Sequence, residues 1–340
     1  MPYGLAMRAV PVETTFVVGG RAEPGLLLSV SGAPQRPATR VEYAGRFALR
    51  FSGPNGPLAY ARIGAWEEIA WLGPHASSTG VVAPITADDM RLVARAGPPG
   101  DDGHMRAWMR HLLASLSPEA TPLFDGTWAM APVPVGARAD APAYPRNPAD
   151  GLHGCPPLAW RLEAVVSPRP LTRDDWACGW GDALVPMGAV WPLRAPSHDG
   201  ARAHALRKRA RDGLLAPALL LYVSAIGGYV VLDGHERIAA ALAENSPPPL
   251  IALWPTRPPT ATTAASLVAA APRVPAGPPT ERLESALRHA MAEHERYGAH
   301  TRAWRLPGGF TRWRDEVRAL LARTPTAALD PDDVAFLVDD

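Results

Sequence analysis

The stretch that decides the fold runs from Gly213 to Trp254 and reads GLLAPALLLYVSAIGGYVVLDGHERIAAALAENSPPPLIALW. Its first twenty residues, Gly213–Leu232, carry no charge and form a segment long enough to cross a bilayer as a helix. A proline near the start and a glycine pair in the second half instead favour two buried strands, Ala218–Val223 and Tyr229–Leu232, joined by a turn. Continuous apolar runs are typical of strands covered on both faces. We therefore predict a buried hairpin, with the membrane helix as the alternative.

The turn Asp233-Gly234-His235-Glu236-Arg237 follows the second strand directly and leads into a helix predicted at Glu236–Asn245. A strand, a glycine-containing turn and a helix form the usual setting of an anion site, because the first amides of a helix lack internal partners. Gly234 would let the backbone approach a phosphate, and Arg237 would bind it with bidentate geometry. His235 would donate a hydrogen bond or move a proton.

The same five residues also have a purely structural interpretation. Asp233 is a good N-cap residue, and Glu236 three positions later completes a capping-box pattern. Arg237 is then a solvated surface charge. Capping and anion binding are compatible, since a cap uses only one or two of the free amides.

The order of elements around this turn resembles the ParB/sulfiredoxin-like superfamily over roughly residues 188–254. The resemblance implies a small α/β fold that binds ATP or CTP, with Mg²⁺. Carried onto this chain, it makes Gly234, His235, Glu236 and Arg237 the candidate nucleotide-binding residues. Asp233 and His235 are the candidate catalytic residues, Asp233 by shaping the turn or helping to position the metal. No dedicated metal ligand is predicted.

The chain also departs from the members of this superfamily. Sulfiredoxins have a cysteine in the turn where His235 stands here, which argues against sulfinic-acid reduction. Partition proteins carry a Gly-Glu-Arg-Arg turn and a helix-turn-helix domain, whereas about a dozen residues separate the two helices predicted at the end of this chain. The superfamily also includes free-serine kinases with a closely similar turn, which add a carboxylate from an earlier segment; Glu163 and Asp199 are the candidates for it here.

The predicted fold class is α+β, with a ParB/sulfiredoxin-like α/β domain in the centre, a β-rich region before it and helices after it. The predicted organisation is a β-rich region of unknown family at 1–130, a linker at 131–157, the ParB/sulfiredoxin-like domain at 158–256, an Ala/Pro-rich linker at 257–279 and a helical region at 280–340. The predicted strands are Pro11–Val18, Leu26–Ser31, Val41–Phe51, Leu58–Ile63, Leu158–Val166, Val190–Leu193 and Leu250–Trp254. The further predicted helices are Met105–Leu116, Thr172–Trp180, Asp199–Asp212, Glu281–Tyr297 and Arg312–Arg323.

Two clusters have both a structural and a functional interpretation. Five basic residues crowd the helix predicted at Asp199–Asp212: Arg202, Arg207, Lys208, Arg209 and Arg211. They form a solvated basic face, or one or two of them contact the phosphates of a nucleotide bound at the Asp233–Arg237 turn. The tryptophans Trp176, Trp180 and Trp191 are interpreted as core packing, with a ligand site as the alternative.

Composition excludes several classes of protein. The chain has 340 residues, of which 34 are basic and 33 acidic, so its net charge of +1 creates no global field for nucleic acid or anionic lipid. Cys155 and Cys178 are too few for a disulfide framework. The first residues lack the pattern of a signal peptide, and Lys208 as the single lysine indicates a GC-rich genome. We expect a bacterial, cytoplasmic protein.

These observations favour a nucleotide-binding protein and, if it is an enzyme, ATP-dependent phosphoryl transfer. The alternative is a non-enzymatic nucleotide switch or interaction module whose N-terminal region binds a protein partner. A partition-type DNA-binding protein is a third and disfavoured interpretation. We expect neither nucleic acid nor membrane as a partner.

Overall fold

The computed structural model describes residues 7–18, 21–63, 69–73, 80–133, 190–194, 196, 200–226, 228–256, 302–323, 335 and 338. Its strands are β1 (Arg8–Val18), β2 (Arg21–Ser31), β3 (Arg40–Gly45), β4 (Ala48–Gly53), β5 (Gly56–Ile63), β6 (Ile69–Leu72), β7 (Gly126–Pro132), β8 (Val190–Pro192), β9 (Ala218–Val223), β10 (Gly228–Asp233), β11 (Leu250–Thr256) and β12 (Ala303–Arg305). Its helices are α1 (Ala87–Ala94), α2 (Asp102–Ala114), α3 (Ala201–Arg211), α4 (His235–Ala243) and α5 (Gly309–Leu321).

The strands form two mixed sheets, so the α+β class is confirmed. Sheet A has seven strands in the order β1-β2-β7-β11-β9-β10-β8, and sheet B has five in the order β12-β3-β4-β5-β6. In sheet A, β11 runs parallel to β9 and β8 runs parallel to β10, while the other neighbours are antiparallel.

Three apolar clusters arrange these elements in layers. The largest cluster lies between the inner faces of the two sheets and includes Trp108 of α2 and Trp128 of β7. The outer face of sheet A packs against α4 through Ile238. The outer face of sheet B packs against α5 through Trp313. The order of layers is therefore α4 with α3 beside it, sheet A, sheet B and α5, and α1 and α2 contribute to the cluster between the sheets.

The apolar run that decides the fold is a hairpin, as predicted. Strands β9 and β10 pair antiparallel, from Gly228 opposite Val223 to Asp233 opposite Leu219. Every residue of β9 is buried, as are the first five of β10. Among the described residues, no helix combines the length and the apolarity that a membrane span requires. The membrane-helix alternative for this segment is therefore wrong.

Sheet A joins parts of the chain that the predicted domains separate. Strand β7, from the β-rich region, pairs with β11, from the central domain, over six positions from Ile251 opposite Pro132 to Thr256 opposite Thr127. Strand β2 continues the sheet on the other side of β7. The predicted linker at 131–157 thus separates two parts of one sheet along the chain.

Several predicted boundaries need correction. The predicted strand Val41–Phe51 is a hairpin, because the chain turns at Arg46 and Phe47 between β3 and β4. The predicted linker begins too early, since β7 continues to Pro132. The elements that sequence reasoning missed are α1, β6, β7 and β12. The strand predicted at 158–166, the helices predicted at 172–180 and 281–297, the linker predicted at 257–279, and all of the linker predicted at 131–157 after residue 133 lie outside the described residues.

Other predicted features are confirmed. Helix α3 ends at Arg211, and Gly213 two residues later has the φ of +68° that is expected for a left-handed stop. Trp191 is fully buried and packs against Trp71 with ring centroids 5.0 Å apart, which agrees with core packing. Trp176 and Trp180 are not among the described residues.

Candidate functional site

The turn between β10 and α4 starts the helix in a different way from the predicted cap. Gly234 is the N-cap residue, with φ of +97° and ψ of 19°, and no side chain caps the helix. Asp233 is the last residue of β10, and its Oδ2 accepts a hydrogen bond of 2.6 Å from Arg237 Nη2. The predicted capping box of Asp233 and Glu236 is therefore wrong, because the left-handed residue between them keeps Asp233 on the strand.

Gly234 is required by a close approach as well as by its φ. A Cβ atom at this position would lie 2.6 Å from the Cβ of Ala218 in β9 and 2.8 Å from Arg237 Nη2. Both distances are well inside van der Waals contact. The turn is therefore packed tightly against the neighbouring strand.

His235 lies at the first position of α4 and is 3% exposed. Its Nε2 accepts hydrogen bonds from the backbone amides of Leu193, at 3.1 Å, and Arg194, at 3.3 Å, just after β8. Nδ1 therefore carries the proton in the neutral ring. Burial, with the charges of Arg194 and Arg237, lowers the pKa of His235 to about 3. His235 is thus a neutral hydrogen-bond donor through Nδ1, which has no acceptor among the described residues.

Glu236 and Arg194 form an ion pair that uses both carboxylate oxygens. Burial alone would raise the pKa of Glu236, but the hydrogen bonds from Arg194 and its charge lower it. This pair connects the first turn of α4 to the segment after β8. Sequence reasoning did not single out Arg194, which comes 42 residues before its partner in the chain.

Arg237 is largely buried, with 9% of its surface exposed. Its Nη2 donates to the Asp233 carboxylate and, at 3.1 Å, to the carbonyl oxygen of Pro217 before β9. Its Nε is buried without an acceptor among the described residues. The guanidinium therefore links the start of β9 to the end of β10, and it is not the solvated charge of the structural interpretation.

Two of the five basic residues of α3 contact the far end of α4. Arg207 Nε lies 2.6 Å and Arg211 Nη1 lies 2.9 Å from the carboxylate of Glu244, the residue that follows α4. Arg202, Lys208 and Arg209 are exposed. The described contacts of this cluster therefore lie at the opposite end of α4 from the turn. Glu163 and Asp199, the candidate distant carboxylates, are outside the described residues.

A buried ion-pair network in sheet B was missed by sequence reasoning. Glu42 is fully buried and accepts hydrogen bonds from Ser52, at 2.6 Å, and Arg50. Arg50 also donates to both carboxylate oxygens of Glu316 in α5, each at 2.8 Å. The signal in the sequence was an alternation of charged and apolar residues along β3 and β4, with Glu42 and Arg50 on one face.

The network holds Glu42 in its charged form. Burial alone would raise the pKa of this carboxyl, but hydrogen bonds from Ser52, Arg50 and Arg36 lower it to about 2. The pKa of Glu316 is lowered in the same way by Arg50 and Arg312, against the effect of burial. The two carboxylates therefore connect α5 to the outer face of sheet B by charge as well as by apolar packing.

Comparison of this chain with protein-family models, curated proteins and solved structures finds no match. Within the described ranges, no group of three or more His, Cys, Asp or Glu side chains is arranged to hold a metal ion. A function must therefore be proposed from the side chains of the site themselves.

Proposed function

We propose that the chain binds a nucleotide, ATP or CTP with Mg²⁺, through the turn Asp233–Arg237, as the ParB/sulfiredoxin-like resemblance implies. One observation carries the proposal: His235 Nδ1 and Arg237 Nε are buried donors with no acceptor among the described residues. A buried donor without an acceptor costs about 1–3 kcal/mol, and native proteins leave few such groups without protein, water or ligand. Phosphate oxygens would accept from both.

The backbone of the turn supports the same ligand. The N-cap residue has no side chain to cap α4, and only the Glu236 amide contacts its own carboxylate, so the other amides of the first turn are the ones that an anion would use. The positive end of the helix dipole adds positive potential there, while the charges of Arg194 and Arg237 are balanced by Glu236 and Asp233. An anionic group is therefore favoured over a neutral one.

Mg²⁺ would enter with the nucleotide. In nucleotide sites it takes one or two carboxylates together with phosphate oxygens, so it needs no cluster of protein ligands. Asp233 fits this role, because its side chain is 26% exposed and its described hydrogen bond uses only Oδ2. It would help to position the metal beside the phosphates.

The charge states in the turn favour a nucleotide switch as the second candidate. His235 is neutral at pH 7 and its Nε2 is already an acceptor, so it is poorly suited to move protons. Asp233 and Glu236 are each paired with an arginine. If turnover is detected, the reaction class that we propose is ATP-dependent phosphoryl transfer, which depends mainly on positioning and charge neutralisation.

The test is calorimetric titration with ATP, CTP and their non-hydrolysable analogues in the presence of Mg²⁺. Replacing Arg237 with Ala should weaken binding about 10- to 100-fold, the range expected for hydrogen bonds to a charged group. Arg237→Lys keeps the charge beside Asp233 but loses Nε, and it should show most of the same loss. Arg207→Ala is the matched control, because it removes an arginine at the other end of α4.

Binding that is lost in both Arg237 variants and kept in Arg207→Ala would support the proposal. A preference for ATP would indicate kinase-like behaviour, and a preference for CTP would indicate partition-like behaviour. Wild-type protein that binds none of the nucleotides would contradict the proposal and leave the interaction module as the better candidate.

A further inference from the structure

The turn between β3 and β4 combines backbone strain with an exposed aromatic side chain. Arg46 and Phe47 have φ of +51° and +57°, between the paired residues Gly45 and Ala48. Two-residue turns with positive φ at both central positions strongly prefer Asn-Gly. Phe47 is 66% exposed, so packing does not compensate for the strain. Strained residues of this kind cluster at functional sites.

Arginine side chains are held beside this turn by aromatic rings. The guanidinium groups of Arg46 and Arg62 lie 5.1 Å and 5.2 Å from the ring centroid of Phe310, and Trp313 stacks against Phe310 at 5.6 Å. Such cation–π contacts orient the charged groups. Two positive charges are thereby placed at one end of sheet B, next to the exposed ring of Phe47.

Exposed arginines also lie near aromatic residues at the edge strand β12. Arg305 is exposed and pairs in register with Tyr43, which is 45% exposed. Arg302 is exposed and lies 5.3 Å from the ring of Trp304. We call these residues the arginine–aromatic surface and define it by position: Tyr43, Arg46, Phe47 and Arg62 around the β3–β4 turn and the neighbouring end of β5, and Arg302 and Arg305 at the edge strand β12.

The local charge differs from the charge of the whole chain. Residues 36–63 and 302–323 contain eleven arginines and three acidic residues, a surplus of eight, whereas the net charge of the whole chain is +1. Five aspartates follow within 330–340, so binding must be measured on the full-length chain. The expectation against nucleic acid depends on the whole-chain value, which averages over this surplus.

We propose that the arginine–aromatic surface binds single-stranded nucleic acid. Proteins that bind single strands without sequence preference combine basic residues, which contact the phosphates, with exposed aromatic rings, on which bases stack. Acidic polypeptides would match the charge but would leave Tyr43 and Phe47 without stacking partners. A duplex keeps its bases stacked on one another, so it also leaves the rings unused.

The test measures binding of a fluorescein-labelled oligothymidylate to the full-length chain by anisotropy, between about 50 and 200 mM salt. The variant R46N/F47G installs the sequence that the turn prefers, so it should fold at least as well as wild type. It should bind about tenfold more weakly or worse, because one stacking ring is removed. The slope of log affinity against log salt should become less negative by about 0.7 for the one phosphate contact removed.

The matched control is R91A/L92A on α1. It removes an exposed arginine and an exposed apolar side chain, which are 71% and 59% exposed. Neither residue belongs to the arginine–aromatic surface. The affinity of this control variant for the oligothymidylate should equal that of wild type. No binding at low salt, equal binding by R46N/F47G, or equally tight binding of polyglutamate or of a duplex would each overturn the proposal.

Discussion

Among the described glycines, Gly234 is the one at which a Cβ atom would make the closest contact. Replacing it with Ala places a Cβ 2.6 Å from the Cβ of Ala218 and forces an L residue into a φ of +97°. Overpacking costs about 1–3 kcal/mol and the left-handed backbone about 1–2 kcal/mol. We therefore expect Gly234→Ala to lower the free energy of unfolding by about 2–5 kcal/mol, as measured by urea denaturation.

Gly100→Ala separates the two contributions to this loss. Gly100 has a φ of +95°, but a Cβ there would meet nothing within 4 Å. It should therefore show the backbone cost without the overpacking cost. Equal losses in the two variants would mean that contact with β9 does not determine the choice of glycine.

Residue-level reasoning predicted the turn as a donor-rich strand–helix junction but missed its internal partners. Asp233 can cap a helix or pair with Arg237 four positions later, and both patterns are visible in the sequence. The left-handed conformation of Gly234 selects the ion pair. The neutral state of His235 could not be predicted, because it depends on burial and on amides 41 and 42 residues away.

At the scale of elements, the Glu42 network makes the packing of α5 on sheet B sensitive to acid. The pKa of Glu42 falls from its ordinary 4.5 to about 2 on folding. A lowered pKa stabilises the fold above the ordinary value, and the stabilisation is lost as pH falls toward the folded value. We expect the free energy of unfolding to drop by about 3 kcal/mol from this group between about pH 5 and pH 2.

Glu42→Gln isolates this contribution. At pH 7 the variant should be less stable by about 3–5 kcal/mol, because the buried Arg50 loses the fully buried one of its two carboxylate partners. Its urea-denaturation curves should depend less on pH than those of wild type, and the two proteins should converge in acid. Asp88→Asn, at an exposed ion pair, is the control and should change little. An equal pH dependence in wild type and Glu42→Gln would contradict the assignment.

The longest apolar patterns were predicted, whereas the short apolar strands β6 and β7 and the pairing-dependent strand β12 were not. The hairpin β9–β10 and helices α2 and α5 have long buried faces that appear in the sequence. Strand β12 has three residues and no pattern, since it is a strand only because it pairs with β3. Strands β3 and β4 were predicted as one, because Arg46-Phe47 is not a turn signal.

At the scale of the whole molecule, sheet A contains strands from the N-terminal and C-terminal parts of the chain, and it should prevent these two parts from folding separately. Without residues 1–133, β11 loses its pairing with β7, and the inner face of sheet A loses the cover that β3–β6, α1 and α2 provide. We expect fragments 1–140 and 151–340 to be insoluble or unfolded when expressed alone and to co-purify as a folded complex when expressed together. Circular dichroism and size-exclusion chromatography would show this.

A fragment limited to residues 158–256 provides the opposing test. A cooperative thermal transition of this fragment alone would support the independent central domain that the sequence predicts. It would also show that the pairing of β7 with β11 is an interface between domains rather than part of one core.

The composition of sheet B affects the order in which parts of the protein can fold during translation. Tyr60 donates a hydrogen bond to Glu316, 256 residues later in the chain. Strand β12 completes sheet B, and α5 covers its outer face. At roughly 5–20 residues per second, a ribosome needs tens of seconds to synthesise that interval. During this time the outer face of β3–β6 is without α5, and Arg50 is without Glu316. Sheet B, four of whose five strands lie before residue 73, is therefore among the last parts of the protein to be completed.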